Sequence, residues 1–481
     1  MTADASQASL RTFSMTSSAE NPPTSPSSLA RDSVGTTLTN SALFLIGIIT
    51  WIAVARFLGP VWRGALALVM LAPSIVMKTG SFGFDQGMVV VGGKEPRTLG
   101  PLARTGIVLA FLMSLISIGL LAAFMWGFPT TFWRLTQQTW LRDQFMLISL
   151  AFPLHLMTMV YDAAIYAEDR IAARNAKELW VNVVMLVAIL AAVFIWNLRL
   201  MAVIGAYLLA NVVSLAYGWL LVRRRVHLDG GIDAGLAGRA VKLGFPVYLA
   251  QLASYAMLPV MMVLLSFALP GNRNENLERI AFFTMAYQMV DRILPVTRSI
   301  SFALLPKITG AGEIEAGEMA AKASRHTLLV SIVIFALLFV FMHPIVAILL
   351  GKRYLSVVGA FAIMAPGGVA LSLIGVWSAH LLARMRPLDV ARAGIIGVVV
   401  ALICAGVGFR FLPEGREVLA ASLAVVVGTF VNAAFLLPPF CSAAKIGPDK
   451  ALIPTVADLR DWRRVPGYVR EIIRRKRAPV G

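Results

Sequence analysis

AFFTMAYQMVDRILPVTRSISFALLPKI, residues Ala281–Ile308, has the length and apolar weight of a helix that crosses a bilayer. It nevertheless places Asp291, Arg292 and Arg298 at membrane depth. A cation near the middle of a membrane helix costs roughly 2.5–3.5 kcal/mol on insertion scales, so it faces a partner or a wet cavity. A chain with almost no soluble mass has one obvious cavity to offer, a transport path, and a lining of this charge suits an anion.

Apolar windows of similar length recur on both sides of this stretch. Spans are expected near 36–57, 63–91, 101–127, 144–167, 179–197 and 201–222, then 245–269, 281–308, 328–350, 356–383, 393–412 and 418–440. The fold class is therefore an all-α polytopic membrane protein, with about 12 transmembrane helices in two six-helix lobes around a central cavity. Composition agrees, because 58% of the 481 residues are hydrophobic and 14% charged, where soluble proteins carry about one-quarter charged residues. The expected order is a disordered cytoplasmic tail over 1–35, a first lobe over 36–222, a cytoplasmic linker over 223–244, a second lobe over 245–440 and a basic cytoplasmic tail over 441–481. Within that tail, VADLRDWRRVPGYVREIIRRKR reads as a helix lying on an anionic leaflet. Membrane lipids are thus the first partner expected.

A net charge of +18 would point to nucleic acid in a soluble protein. Here the basic residues stand between and after the spans, where they set topology, and no nucleic-acid partner is expected. Lysine and arginine are about twofold denser per loop on the side that holds both termini, which makes that side cytoplasmic. The linker Arg223–Gly244 is the most basic connector, and the halves on either side of it resemble one another at a shift of about 215 residues, as a parallel repeat would. Two cysteines, Cys404 and Cys441, give neither a disulfide framework nor a thiolate cluster. His155, His343 and His380 stand singly on separate spans without metal-site spacing. No nucleophile motif, phosphate-cradling loop or long extramembrane loop is present, so no enzyme activity, cofactor or metal is expected.

The remaining polar residues inside spans are candidates for the path. RGALALVMLAPSIVMKTGSFGFDQGMVVVGG holds Pro73, Lys78 and Asp85, with five glycines from Gly80 to Gly93. Pro73 is expected to kink this helix and the glycines to loosen its second part. Lys78 and Asp85 share a face about 10 Å apart, so they either neutralise their surroundings locally or line the cavity and meet substrate or a gate. In the decisive span Asp291 and Arg292 point in different directions, whereas Arg298 lies on roughly the face of Asp291. One acid cannot cancel both arginines. Pro295 between them is expected to open the helix. Arg56 closes the first span and is expected to snorkel to the interface. Asp162, beside Tyr161 and a turn from the cytoplasmic end, reads as a gate residue or as one simply near water.

ARFLGPVWRGALALVMLAPSIVMKTGSFGFDQGMVV over 55–90, AVKLGFPVYLAQLASYAMLPVMMVLL over 240–265 and the later Leu305-Pro306-Lys307 together resemble the bacterial polysaccharide and O-antigen flippases. The resemblance covers about residues 36–440 and is carried by small and apolar residues. It implies the multidrug/oligosaccharidyl-lipid/polysaccharide exporter fold in a bacterial inner membrane. It also implies a polyprenyl-diphosphate-linked oligosaccharide as substrate, moved between leaflets for exopolysaccharide, O-antigen or capsule synthesis, with a polymerase or export machinery as partner. By position, Arg298, Arg292 and Lys78 match the family's cationic cavity, with Asp291, Asp85 and Asp162 as gating or charge partners. Asp291 beside Arg292 departs from the pattern. Two other readings compete. A multidrug exporter of the same superfamily would want carboxylates for lipophilic cations, and the first span has none. A scaffold without transport has no reason to bear intramembrane charge.

Overall fold

The computed structural model describes residues 26–136, 138, 140–196, 199–226, 231–269, 273–310, 312–455 and 458. Among them the chain is helical throughout, with no strand. This is the solution a bilayer imposes, since a helix satisfies its own backbone where water cannot. The first half comprises α1 (Pro26–Thr79), α2 (Phe84–Lys94), α3 (Leu99–Gly127), α4 (Pro129–Thr136), α5 (Leu141–Ser149), α6 (Ala151–Ala167), α7 (Ile171–Trp196) and α8 (Arg199–Arg223). The second half comprises α9 (Ala234–Tyr255), α10 (Met257–Ala268), α11 (Arg273–Gly310), α12 (Glu313–Leu349), α13 (Ser356–Ala383), α14 (Pro387–Phe411) and α15 (Glu417–Ala444). A short α16 (Pro448–Leu452) follows.

Helix α1 starts at Pro26, inside the segment expected as a disordered tail, while residues 1–25 lie outside the described residues. It turns at Gly59, where φ is 70° and ψ 172°, and Pro60 starts a second arm. That arm stays helical through Pro73, and the break falls instead at Gly80–Gly83. Helix α11 likewise runs on through Pro295 without opening. Among the described residues nine helices are long and apolar enough to cross a membrane, and ten if α9 and α10, bent by 42°, form one span. One of the nine, Ser41–Lys94, includes the Gly59 turn, and α11 is not among them. The expected twelve is therefore reached only by counting the arms of α1 separately and adding α11. Of the basic tail beyond α16 only residues 453–455 and Asp458 are described, and Asp458 accepts from Nε of Arg325 in α12 at 2.7 Å. Burial opposes the charge on Asp458, but hydrogen bonds from Arg325 and Thr455 hold its carboxyl far below the usual range.

The two ends of the molecule differ in how the halves meet. At the end with the Gly59 turn, here the turn end, a single apolar core joins both halves, running from Leu58, Leu68 and Phe145 to Leu277, Phe361 and Val425. At the opposite end, here the linker end, where α8 stops at Arg223 and α9 begins at Ala234, the core divides. Phe84, Met88, Leu102 and Val160 gather in one cluster and Trp377, Leu381, Leu436 and Phe440 in another. Arg56 strengthens the turn-end joint. It donates from Nε to the Leu349 carbonyl at 2.8 Å and from Nη2 to that of Ile348, at the exposed end of the first arm of α1. Tyr354 donates its hydroxyl to the Ala55 carbonyl at 2.7 Å, and burial pushes this phenol up, so it stays protonated.

Two backbone-to-backbone seams complete the joint between halves. A methyl placed on Gly64 of α1 would fall 1.8 Å from the Leu277 carbonyl oxygen of α11. One placed on Gly87 of α2 would fall 1.7 Å from that of Ala240 of α9. No side chain fits at either point, so glycine sets how near the halves come. Gly64→Ala should cost about 1–3 kcal/mol or more by overpacking, read as a lowered melting temperature of the purified protein. Gly119→Ala, where a methyl meets nothing within 4 Å, should leave melting unchanged.

Candidate functional site

The decisive span forms the middle of α11, and its polar face is organised by a residue that charge counting overlooks. Gln288 and Arg292 stand one turn apart and share a face. The Gln288 side-chain oxygen accepts from the Trp51 indole Nε1 at 2.8 Å and from Arg63 Nη2 at 2.7 Å. Trp51 lies on the first arm of α1 and Arg63 on the second, so one amide oxygen ties three helix segments across the two halves. The Arg292 guanidinium lies 5.6 Å from the centre of the Trp51 ring, a cation–π contact. Gly47, one turn before Trp51, leaves the room it needs, because a methyl there would stand 3.2 Å from Arg292 Nη1.

The electrostatics of this cluster are one-sided. Arg63 is only 8% exposed, and its charge and that of Arg292 are near enough to oppose one another. Among the described residues no carboxylate lies within ion-pairing distance of either guanidinium, and the Nε of each is buried without a hydrogen-bond partner. Asp291 is exposed on a different face of α11 and supports Arg292 only through its field. The arrangement can therefore accept a group rich in anionic oxygens.

The other expected site residues are not gathered here. Arg298 lies on the α11 backbone six residues past Arg292, about 9 Å along the axis, and its side chain falls outside the described residues. Lys78, about 22 Å along α1 from Arg63, has its ammonium 5.9 Å from the ring centre of Tyr255, at the junction of α9 and α10. Asp85 accepts from Gln86 Nε2 at 2.9 Å and edges a mostly apolar cavity of about 290 Å³ with Phe82, Leu109 and Leu156. Asp162 pairs with Lys177, a fully buried lysine of α7, within the first half. Among the described residues no group of acids, histidines and cysteines could hold a metal ion.

Arg63, at the outer edge of the expected span 63–91 and passed over among its charged residues, is a buried member of the cluster. The cause is the Gly59–Pro60 turn, which ends the first arm so sharply that the second has begun before Arg63 is reached. The spacing of Gln288 and Arg292 on one face was the available signal. Replacing Gln288 by Leu strands the Arg63 guanidinium and should lower the melting temperature, by the equivalent of about 1–3 kcal/mol for a buried unsatisfied group. Gln288→Glu keeps both acceptor positions and adds the missing negative charge, so it should melt no lower than the parent. Equal melting of Gln288→Leu and the parent would show that the amide holds nothing.

A family model described as polysaccharide biosynthesis protein matches residues 29–310. No curated protein matches the chain in sequence. Among solved structures, the lipid II flippase MurJ in an inward closed conformation superposes with a TM-score of 0.66 at 14% identity, covering 84% of this chain and 87% of that one. An inward-facing multidrug resistance MATE family transporter of the MOP superfamily gives 0.64 at 14% identity, covering 84% and 96%. A MOP superfamily transporter from Pyrococcus furiosus, described as having a binding pocket of reverse polarity, gives 0.59 at 13% identity, covering 86% and 95%. These likenesses establish the fold.

Proposed function

We propose, since the chain belongs to the polysaccharide biosynthesis protein family, that it is a flippase for polyprenyl-diphosphate-linked oligosaccharide. It carries this lipid from the cytoplasmic to the outer leaflet of the bacterial inner membrane for polysaccharide assembly. The observation that supports the reading is the pair of inter-lobe guanidiniums, Arg63 held by an amide oxygen and Arg292 by an indole face, neither by a carboxylate among the described residues. A diphosphate brings the charge that this pair lacks. Its oxygens suit the planar donor fork of arginine better than the point charge of lysine.

Both termini and the linker lie on the cytoplasmic side in this reading, as the loop charges require. The divided core then faces the cytoplasm and the shared core faces outward, so the substrate enters between lobes from the inner leaflet. Arg298, on α11 nearer the linker end than Arg292, and Lys78 extend the cationic path toward that entrance. Export of the diphosphate from an inside-negative cell gains about 2.3 kcal/mol per charge per 100 mV, which can drive transport without a coupled ion. A polymerase or export machinery that consumes the glycan in the outer leaflet is the partner this reading calls for.

Proteoliposomes carrying a lipid-linked oligosaccharide with a fluorescent sugar test it, by the rate at which the label becomes accessible to an impermeant quencher on the receiving side. Arg63→Ala, Arg292→Ala and Arg298→Ala should each slow flipping at least tenfold. Gln288→Glu should do the same while the protein stays folded, because a fixed carboxylate takes the place of the diphosphate. Parental rates in the Arg63→Ala/Arg292→Ala double variant would sink the assignment.

A further inference from the structure

A second cavity, of about 750 Å³, opens at the turn end, within the range of about 300–1,000 Å³ usual for small-molecule sites. Its walls come from both halves. The α1 turn and the α4–α5 connection supply Trp62, Gln138 and Trp140, while α11 and the short turn before α13 supply Asn274, Glu278 and Arg353. The two indoles stand 4.9 Å apart between ring centres and are tilted by 51°, both half-buried. Gln138 Nε2 donates to Asn274 Oδ1 at 3.4 Å, bridging the halves across the mouth.

We infer that this vestibule is a saccharide-binding site on the receiving side of the membrane, taking the sugar portion of the substrate; the inference rests on the flippase reading. A pyranose ring has an apolar C–H face and a rim of hydroxyls that both donate and accept. The indoles offer the first kind of surface, and the amides, carboxylate and guanidinium answer the second. Two arginines, Arg56 and Arg353, stand beside one carboxylate, Glu278, so the lining mixes donors and acceptors as a ring of hydroxyls requires. The site is built from both halves where Arg56 and Tyr354 tie them together. Saccharide bound there therefore favours the state closed at that end, by its differential affinity for the two arrangements. Glycan accumulating outside would then slow further export.

The probe is the oligosaccharide released by mild acid from the lipid-linked glycan of cells that make this chain, tagged with a fluorophore. Equilibrium dialysis against the full chain in lipid nanodiscs measures its uptake. Trp62→Ala and Trp140→Ala should weaken uptake at least tenfold and Arg292→Ala should leave it unchanged. Gln138→Ala and Arg353→Ala, on connecting segments, should weaken it severalfold and separate recognition from any folding defect in the tryptophan variants. Saturating probe should also raise the melting temperature of the parent and not that of Trp140→Ala. Absence of uptake at millimolar probe would overturn the inference, as would uptake lost in Arg292→Ala but kept in Trp140→Ala. The probe lacks lipid and is not transported, so a wild-type chain that binds it yet flips nothing would overturn the flippase reading alone.

Discussion

One guanidinium and one indole bonded to an uncharged oxygen, with a second guanidinium on the indole face, are the constraint on which the middle of this molecule depends. In a low-dielectric interior an unpaired cation is expensive, and a carboxylate is the usual remedy. Gln288 gives Arg63 a hydrogen bond without giving it a counter-charge, and Trp51 gives Arg292 a ring face to the same effect. The cluster stays folded and stays positive. Because its members come from both arms of α1 and from α11, it also fixes where the halves meet.

Much of this was legible in the sequence. Apolar windows located the helices, and the charges within Ala281–Ile308 pointed to the helix that carries the cluster. Three things were not. The break at Gly59–Pro60 was marked by the gap between the first two spans, but Arg63 stands at the very edge of the second, where hydropathy cannot tell a buried arginine from one facing water. Gln288 carries no charge, so a search for costly residues passed over it. Lys78, Asp85 and Asp162 are charged at membrane depth, yet each finds a local answer in Tyr255, Gln86 or Lys177, and only three-dimensional packing reveals which charges are answered.

The unequal ends give the fold its mechanical character. Apolar side chains from both halves interdigitate at the turn end, with Arg56 and Tyr354 adding bonds to backbone carbonyls. At the linker end the core falls into two clusters, and the one around Phe84 and Leu102 also takes in Ala237 and Ala240 of α9, beside the α2–α9 backbone seam and the surface pair Arg239–Glu95. Parting the halves at the linker end breaks the packing of α9 against α2, whereas parting them at the turn end must expose the larger core they share.

The Gln288 oxygen also determines what kind of event the arrival of an anion is. Its acceptor capacity is taken by Trp51 and Arg63, yet it engages Arg63 only through Nη2, and the Nε of Arg63 and of Arg292 is buried without a partner. A phosphoryl oxygen could therefore bond to these N–H groups while the amide stays in place, gaining hydrogen bonds as well as the attraction between opposite charges. An anion would add to the cluster without dismantling the contact that holds the helix segments together.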